Sequence, residues 1–115
     1  MQVITNELRV AVDVDNTIIK WVNSPTNNSK TVSYYGTSKE VEPNQAVIAF
    51  VKSLKQRGYH VTVHSNNGWQ WAKNVVEALE LESVVDLVCT KSSKCIDDEL
   101  NVEHIIGTLI NPEIL

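Results

Sequence analysis

Apolar runs separated by polar segments are the most regular feature of this chain. Residues 9–14 (RVAVDV) and 60–65 (HVTVHS) are rich in β-branched residues, which is typical of strands buried on both faces of a parallel sheet. Residues 84–90 form a third run of this kind. Shorter apolar segments follow at residues 95–96 and 105–110, so candidate core segments recur along the whole chain.

Two segments between these runs have the spacing of amphipathic helices. Pro43 is placed to open the first helix and Gly58 to end it. The turn at residues 66–68 (NNG) leads into the second helix, which we expect to extend to about Leu81. Apolar residues recur on one face of each helix: Val47, Ile48, Val51 and Leu54 in the first, and Ala72, Val75, Val76 and Leu79 in the second.

Residues 18–42 form a polar insertion between the first predicted strand and the first helix. The turn-forming sequences SPTNNS and YGTS lie within it, and residues 30–35 (KTVSYY) between them have β composition. An insertion of about 25 residues is long for a structureless loop in a compact domain. We therefore expect an exposed hairpin here, and we call residues 18–42 the flap.

The order of these elements predicts an α/β fold. Strand, flap, helix, strand, helix and strand follow one another, which indicates a parallel sheet with right-handed crossovers. With 115 residues, the chain has the size of one domain, residues 1–115, with no room for a large cap domain. In such sheets, ligands bind at the carboxyl ends of the strands. The polar residues that follow each strand are therefore the candidates for a site.

Composition and charge argue against several classes of protein. The chain has 43% hydrophobic residues and a net charge of −4, which fits a globular domain without a basic surface for non-specific nucleic-acid binding. No apolar run approaches the roughly 20 residues of a membrane-spanning helix, and no signal peptide is visible. Cys89 and Cys95 form neither a disulfide framework nor a zinc motif. We therefore expect reduced thiols in a cytoplasmic protein.

The polar residues after the predicted strands have the chemistry of a phosphate site. Carboxylates that converge on one rim repel one another unless a cation lies among them, and such oxygen-rich sites suit Mg²⁺ where a phosphate completes its shell. A hydroxyl beside backbone N–H groups at a helix N-terminus binds anions. Both features are present in the residues concerned: Asp13 and Asp15, Ser65 with two asparagines, Lys91, and Asp97 with Asp98.

These residues resemble the signatures of the haloacid dehalogenase superfamily, most of whose members are phosphatases. Residues 13–17 (DVDNT) are similar to its DxDxT signature, and residues 61–65 (VTVHS) to a strand that ends in Ser or Thr. Lys91 resembles the third signature and residues 96–98 (IDD) the fourth. The resemblance implies a three-layer Rossmann-like α/β fold with helices on both faces of the sheet, a flap after the first strand and no large cap.

The resemblance also implies a role for each aspartate. Asp13 would be the nucleophile that forms an aspartyl-phosphate. Asp15 would protonate the leaving oxygen and later activate water. The Asp13 carboxylate, the Asp15 backbone carbonyl and Asp97 would hold Mg²⁺, with Asp98 as support or second ligand.

Other residues would bind the phosphate, by the same resemblance. Ser65 would bind a phosphoryl oxygen with help from the N–H of Asn66, and Lys91 would balance charge. Thr17 would orient the loop that carries the first two aspartates. Asn16 stands where Gly is more frequent in the superfamily, but Asn tolerates the left-handed backbone.

Several residues have two interpretations. Lys94 competes with Lys91 as the third-signature lysine, and we favour Lys91 because it follows an apolar run. For Trp69, packing is favoured, and a wall against a sugar or base of the substrate is the alternative. His60 and His64 are expected to be structural. The aromatic residues of the flap are expected to pack within it or at a subunit interface, and less readily against substrate: Trp21, Tyr34 and Tyr35.

The implied function is that of a Mg²⁺-dependent phosphohydrolase acting on a small phosphate monoester. A nucleic-acid end phosphatase is an alternative, because a site without a cap admits a large substrate, although the acidic charge weighs against it. A non-catalytic phosphate- or nucleotide-binding module on the same fold is another. A response-regulator receiver also uses Asp, Ser or Thr, and Lys, but in a different order. Substrate choice would come from the flap or from a homo-oligomer formed through it.

Overall fold

The computed structural model describes residues 9–91 and the backbone of residues 104–106. These parts of the chain form a mixed α/β structure with a four-stranded and a three-stranded sheet and two helices. The elements in chain order are β1 (Arg9–Asp13), β2 (Ile19–Val22), β3 (Lys30–Tyr34), β4 (Thr37–Pro43), α1 (Gln45–Gln56), β5 (His60–Ser65), α2 (Trp69–Ala78), β6 (Leu87–Thr90) and β7 (His104–Ile106).

The four-stranded sheet is parallel, as the sequence predicts, with the order β6-β5-β1-β7. Arg9 pairs with His60 and Asp13 with His64, while Val12 pairs with Ile106 on the other side. The chain steps from β1 to β5 to β6 in one direction, and β7 lies on the opposite side of β1. The carboxyl end of β1 is therefore at the switch point, where open α/β sheets bind their ligands.

Both helices pack on the sheet through their apolar faces. The two crossovers step in the same direction, so the usual right-handed sense places α1 and α2 on one face. Val63 of β5 lines a small apolar space together with Ile48 and Val51 of α1. Helices on the second face, which the resemblance implies, are not among the described residues. The buried core of these layers includes Val10, Val12, Val61 and Val63 of the sheet, Ile48, Val51 and Leu54 of α1, and Trp71, Ala72, Val75 and Val76 of α2.

The helix boundaries differ slightly from the prediction. Pro43 ends β4 and does not open α1, because Asn44 is the N-cap: its side chain accepts a hydrogen bond from the Val47 N–H at 3.3 Å. Gly58 follows the C-terminus of α1 as expected, with φ of +93°. Helix α2 ends at Ala78, three residues before Leu81.

The flap is a three-stranded antiparallel sheet, one strand more than the predicted hairpin. Its strand order is β2-β4-β3, and β4 extends one residue past the flap, to Pro43. Val32 of β3 and Val41 of β4 are fully buried and belong to the core. Strand β3 packs against α2. The flap is thus attached to the helix that follows β5.

The C-terminal part of the chain departs from the prediction in two places. Strand β6 begins at Leu87, and the apolar residues before it lie in a turn. Of the run 105–110, residues 105–106 belong to β7 and the remainder lies outside the described residues, as does the predicted strand at 95–96. Cys89 is disulfide-bonded, in contrast to the expectation of reduced thiols.

Among the helices that the structure describes, none has both the length and the apolar character to cross a membrane.

Candidate active site

Asp13 lies at the carboxyl end of β1 and is almost fully buried, with 5% of its surface exposed. The Lys91 ammonium donates a hydrogen bond to Asp13 Oδ1 at 3.4 Å, and the Thr17 hydroxyl donates to Oδ2 at 3.4 Å. Burial raises the pKa of Asp13, and the nearby Asp15 adds to this, while Lys91 and Thr17 oppose it. The site therefore holds a desolvated carboxylate next to the Lys91 ammonium.

A tight turn after β1 carries the next residues of the site. The Val14 carbonyl accepts hydrogen bonds from the N–H groups of Thr17, Ile18 and Ile19 at 3.0–3.2 Å. Asn16 takes the left-handed conformation, with φ of +64°, as the sequence predicts for this position. One turn of chain thus brings Thr17 back to Asp13 and leads directly into β2 of the flap.

Asp15 is held by four hydrogen-bond donors. Its Oδ1 accepts from the indole N–H groups of Trp21 at 2.7 Å and Trp71 at 2.9 Å. Its Oδ2 accepts from the Ser65 hydroxyl at 2.7 Å and the Asn67 amide at 3.2 Å. A carboxylate offers about four acceptor positions, so the donors in this arrangement match its full capacity.

The loop between β5 and α2 completes the rim. Ser65 is fully buried, and its Oγ also accepts the Asn67 N–H at 3.0 Å. Since a hydroxyl has one proton, Ser65 donates to Asp15 here, where the sequence predicts donation to a phosphoryl oxygen. The Ser65 carbonyl accepts from the N–H groups of Gly68 at 3.1 Å and Lys91 at 2.8 Å. The same carbonyl therefore fixes both the loop and the backbone of the lysine.

An aromatic cluster from the flap and α2 packs behind Asp15. Trp21 and Trp71 have ring centroids 5.3 Å apart, and Tyr34 contacts both rings edge-on at 5.5 and 5.1 Å. The Tyr34 hydroxyl donates to Asn67 Oδ1 at 3.1 Å, and the Tyr35 hydroxyl donates to the Asn67 carbonyl. The flap aromatics thus pack with one another, as expected, and they also reach Asp15 and Asn67, which the sequence interpretation did not include. The concentration of aromatic residues in an otherwise polar insertion is the signal that could have indicated it.

His64 is the buried residue next to Asp13 on the neighbouring strand. It has no exposed surface, and neither ring nitrogen has a hydrogen-bond partner among the described residues. Burial, together with the positive charge of Lys91, lowers its pKa to about 4. The ring is therefore neutral at physiological pH and adds no charge to the site.

The remaining predicted residues are placed less centrally. Asn66 is exposed. Trp69 has 51% of its surface exposed at the start of α2, and its backbone N–H donates to Thr90 Oγ1 at 3.0 Å. Lys91 reaches Asp13, which favours it as the lysine of the site, whereas Lys94 lies outside the described residues.

The predicted metal ligands are only partly described. Asp97 and Asp98 lie outside the described residues, and within those residues no group of three or more His, Cys, Asp or Glu side chains could hold a metal ion. The Asp13 carboxylate and the Asp15 carbonyl are hard oxygen donors. They fit Mg²⁺, which binds through one or two carboxylates together with substrate phosphate and water.

No family model matches this chain, and no curated protein sequence matches it. What the site can do therefore follows from its geometry and from the signatures in the sequence. A buried carboxylate, a lysine, and a second carboxylate held by four donors meet at the switch point of a parallel sheet. Within this set, the Lys91 ammonium is the group that could attract an anion, and the Asp13 carboxylate is the group that could act as a nucleophile.

Proposed function

We propose that this protein is a Mg²⁺-dependent phosphohydrolase that cleaves a phosphate monoester through an aspartyl-phosphate on Asp13. The three-layer fold of the haloacid dehalogenase superfamily is part of the proposal. The observation that carries it is the pairing of Asp13 with Lys91 at the carboxyl end of β1. Four signatures in the order typical of that superfamily support it.

The environment of Asp13 suits a nucleophile. Burial removes water from the Asp13 carboxylate, which raises the energy of the ionised form. Lys91 at 3.4 Å opposes this effect and keeps the ionised form accessible. Thr17 restrains the second oxygen. One Asp13 oxygen attacks phosphorus, and Lys91 offsets the charge that accumulates on the phosphoryl oxygens.

Mg²⁺, held by the Asp13 carboxylate, the Asp15 carbonyl, Asp97 and Asp98, would neutralise the charge of the phosphate and of its nucleophile. Asp15 gives a proton to the leaving oxygen in the first step and takes one from the attacking water in the second. Ser65 and Asn67 hold its Oδ2. Asn66 and Trp69 remain the proposed contacts to the substrate, and Ser65 would join them only if its hydroxyl proton turned from Asp15 towards a phosphoryl oxygen.

A small phosphorylated molecule is the proposed substrate class. The flap sheet is attached to the rim of the site through Asn67, and we propose that it restricts the size of the substrate. The net charge of −4 disfavours a polyanion.

Hydrolysis of para-nitrophenyl phosphate by the purified protein with Mg²⁺ tests this proposal. We expect the wild-type protein to hydrolyse this substrate. In Asp13→Asn, kcat should fall at least about 10³-fold, because an amide cannot act as the nucleophile in place of the carboxylate. Asp86→Asn is the matched control, because Asp86 binds Lys55 and the Val61 N–H at the amino end of β5, the end opposite the site. The activity of this variant should stay within about two-fold of the wild-type activity.

Two results would count against the proposal. Undiminished turnover in Asp13→Asn would exclude Asp13 as the nucleophile. Absence of turnover on a broad panel of phosphate monoesters, with Mg²⁺ bound, would favour a non-catalytic phosphate-binding module.

A further inference from the structure

The Asp15 carboxylate is held through one oxygen by two tryptophans from different parts of the fold. Trp21 lies in β2 of the flap, and Trp71, which is fully buried, lies in α2. Both indole N–H groups donate to Oδ1. We propose that Trp21 and Trp71 are positioning residues for acid–base catalysis by Asp15, and that docking of the flap sets the orientation of this acid. The inference rests on the proposed function, in which Asp15 protonates the leaving group.

The chemistry of the donors distinguishes the two oxygens of Asp15. An indole N–H can donate a hydrogen bond but cannot accept one, so a proton on Oδ1 would have no acceptor in either tryptophan. The Ser65 hydroxyl beside Oδ2 can donate or accept. Oδ2 is held by the Asn67 amide and by this hydroxyl, which alone among the four donors could turn away. Oδ1 is therefore the fixed end of the carboxyl group, and we assign the transferred proton to Oδ2.

The first chemical step then proceeds as follows. An Asp13 oxygen forms a bond to phosphorus while the bond from phosphorus to the leaving oxygen breaks. The proton on Asp15 Oδ2 moves to that leaving oxygen and gives the free alcohol. Asp15 is left as a carboxylate, whose charge the two indole N–H groups stabilise through Oδ1.

The surrounding contacts make this arrangement rigid. The two indole rings pack against each other with Tyr34 edge-on to both, and the Lys39 ammonium lies 5.7 Å from the centre of the Trp21 ring. Trp21 is carried by the flap, which packs on α2 through β3, so a change in flap position would alter one of the two Oδ1 donors. Acid catalysis is thereby linked to flap position.

Trp21→Phe tests the proposal, because it keeps an aromatic ring and removes the N–H. We expect kcat/KM for phenethyl phosphate, whose alkoxide leaves poorly without a proton, to fall about 10-fold, within the range that general acid catalysis contributes. For para-nitrophenyl phosphate, whose phenolate leaves without a proton, kcat/KM should change less than about two-fold. The ratio kcat/KM reports the first step alone, so slow hydrolysis of the intermediate does not affect it.

Tyr34→Phe is the matched comparison. It removes a hydrogen bond between the flap and Asn67 but leaves both indole donors, so any loss of activity should be equal for the two substrates. An equal change for both substrates in Trp21→Phe, or no change, would overturn the positioning role while the proposed function stands. If the wild-type protein hydrolyses neither phosphate, the proposed function fails, and this inference fails with it.

A second measurement does not depend on activity or on the stability of a tryptophan variant. The three tryptophans give three indole N–H signals in a nitrogen–proton correlation spectrum. We expect two of them to move in Asp15→Ala and none to move by a comparable amount in Asp86→Ala. Indole signals that are the same in Asp15→Ala and in the wild-type protein would overturn the proposal.

Discussion

Asp13 shows how position in the fold alters the charge environment of a single side chain. Its carboxylate is desolvated at the end of a central strand, and burial raises its pKa, while Lys91 supplies the compensating charge. Asp15, two residues later, is surrounded by donors. The two carboxylates therefore have different environments and can take different roles, as required of a nucleophile and an acid–base group.

His64 predicts how the stability of the folded chain depends on pH. Its pKa is about 4 in the folded protein and 6.5 ordinarily, so the unfolded chain takes up the proton first as pH falls. The stabilisation is present above pH 6.5 and is lost as pH falls towards 4, by up to about 3 kcal/mol. Urea unfolding between pH 7 and pH 4 measures this loss.

The His64→Leu variant should lack this part of the pH dependence. In His60→Gln, the control on the same strand, the contribution of His64 should persist. If His64→Leu loses as much stability between pH 6.5 and pH 4 as the wild-type protein, the buried neutral imidazole is not its cause.

At the scale of elements, the contact between the flap and the start of α2 determines the form of the site. The Tyr34 and Tyr35 hydroxyls both donate to Asn67, and Asn67 donates to Asp15. The loop after β5 is therefore held from the flap side and from the β1 side. Gly68 allows this close approach, because a Cβ at this position would collide with the Tyr35 hydroxyl.

Replacement of Gly68 by alanine should therefore cost more stability than the same change at Gly36. Both residues have positive φ, +102° and +84°, but no atom lies within 4 Å of a Cβ at Gly36. We expect about 1–2 kcal/mol from the backbone at Gly36 and more at Gly68, whose φ of +102° and ψ of +159° lie in a region that is essentially restricted to glycine. In Gly68→Ala the exposed Tyr35 ring must also move, and loss of its hydrogen bond to the Asn67 carbonyl adds about 1 kcal/mol. Urea unfolding of both variants gives the comparison.

The added cost should shrink when Tyr35→Phe is combined with Gly68→Ala, because the hydroxyl that collides is then absent. Equal costs for Gly36→Ala and Gly68→Ala would contradict the close docking of the flap on this loop.

The elements that could be predicted from the sequence are those whose residue pattern follows directly from their burial. The β-branched runs at β1 and β5 indicate buried parallel strands, and the apolar spacing in α1 and α2 indicates helices. The third strand of the flap was not predicted, because β2 (IKWV) is too short and too mixed in composition to show the alternation of apolar and polar residues that is typical of a strand. The N-cap at Asn44 was missed because Pro43 is itself a common first residue of helices, although here it ends a strand.

At the scale of the whole molecule, topology brings the site together. Asp13, Ser65 and Thr90 all lie at the carboxyl ends of neighbouring parallel strands, and Lys91 follows directly. This convergence follows from the order of elements, which is why the pairing of Asp13 with Lys91 could be anticipated from sequence. The contact of Trp71 with Asp15 joins residues 56 positions apart through side-chain packing, and no local pattern indicates it.

The central claim is that phosphoryl transfer passes through Asp13. The most direct test is acid quenching of the protein during turnover of para-nitrophenyl phosphate with Mg²⁺, followed by mass spectrometry of its peptides. Asp15→Asn serves to slow hydrolysis of the intermediate, because the group that activates water is absent. We predict a phosphoryl group on Asp13 in both proteins, with more of it in the variant. Turnover with the phosphoryl group on another residue, or with Asp13 unmodified in both proteins, would contradict the account.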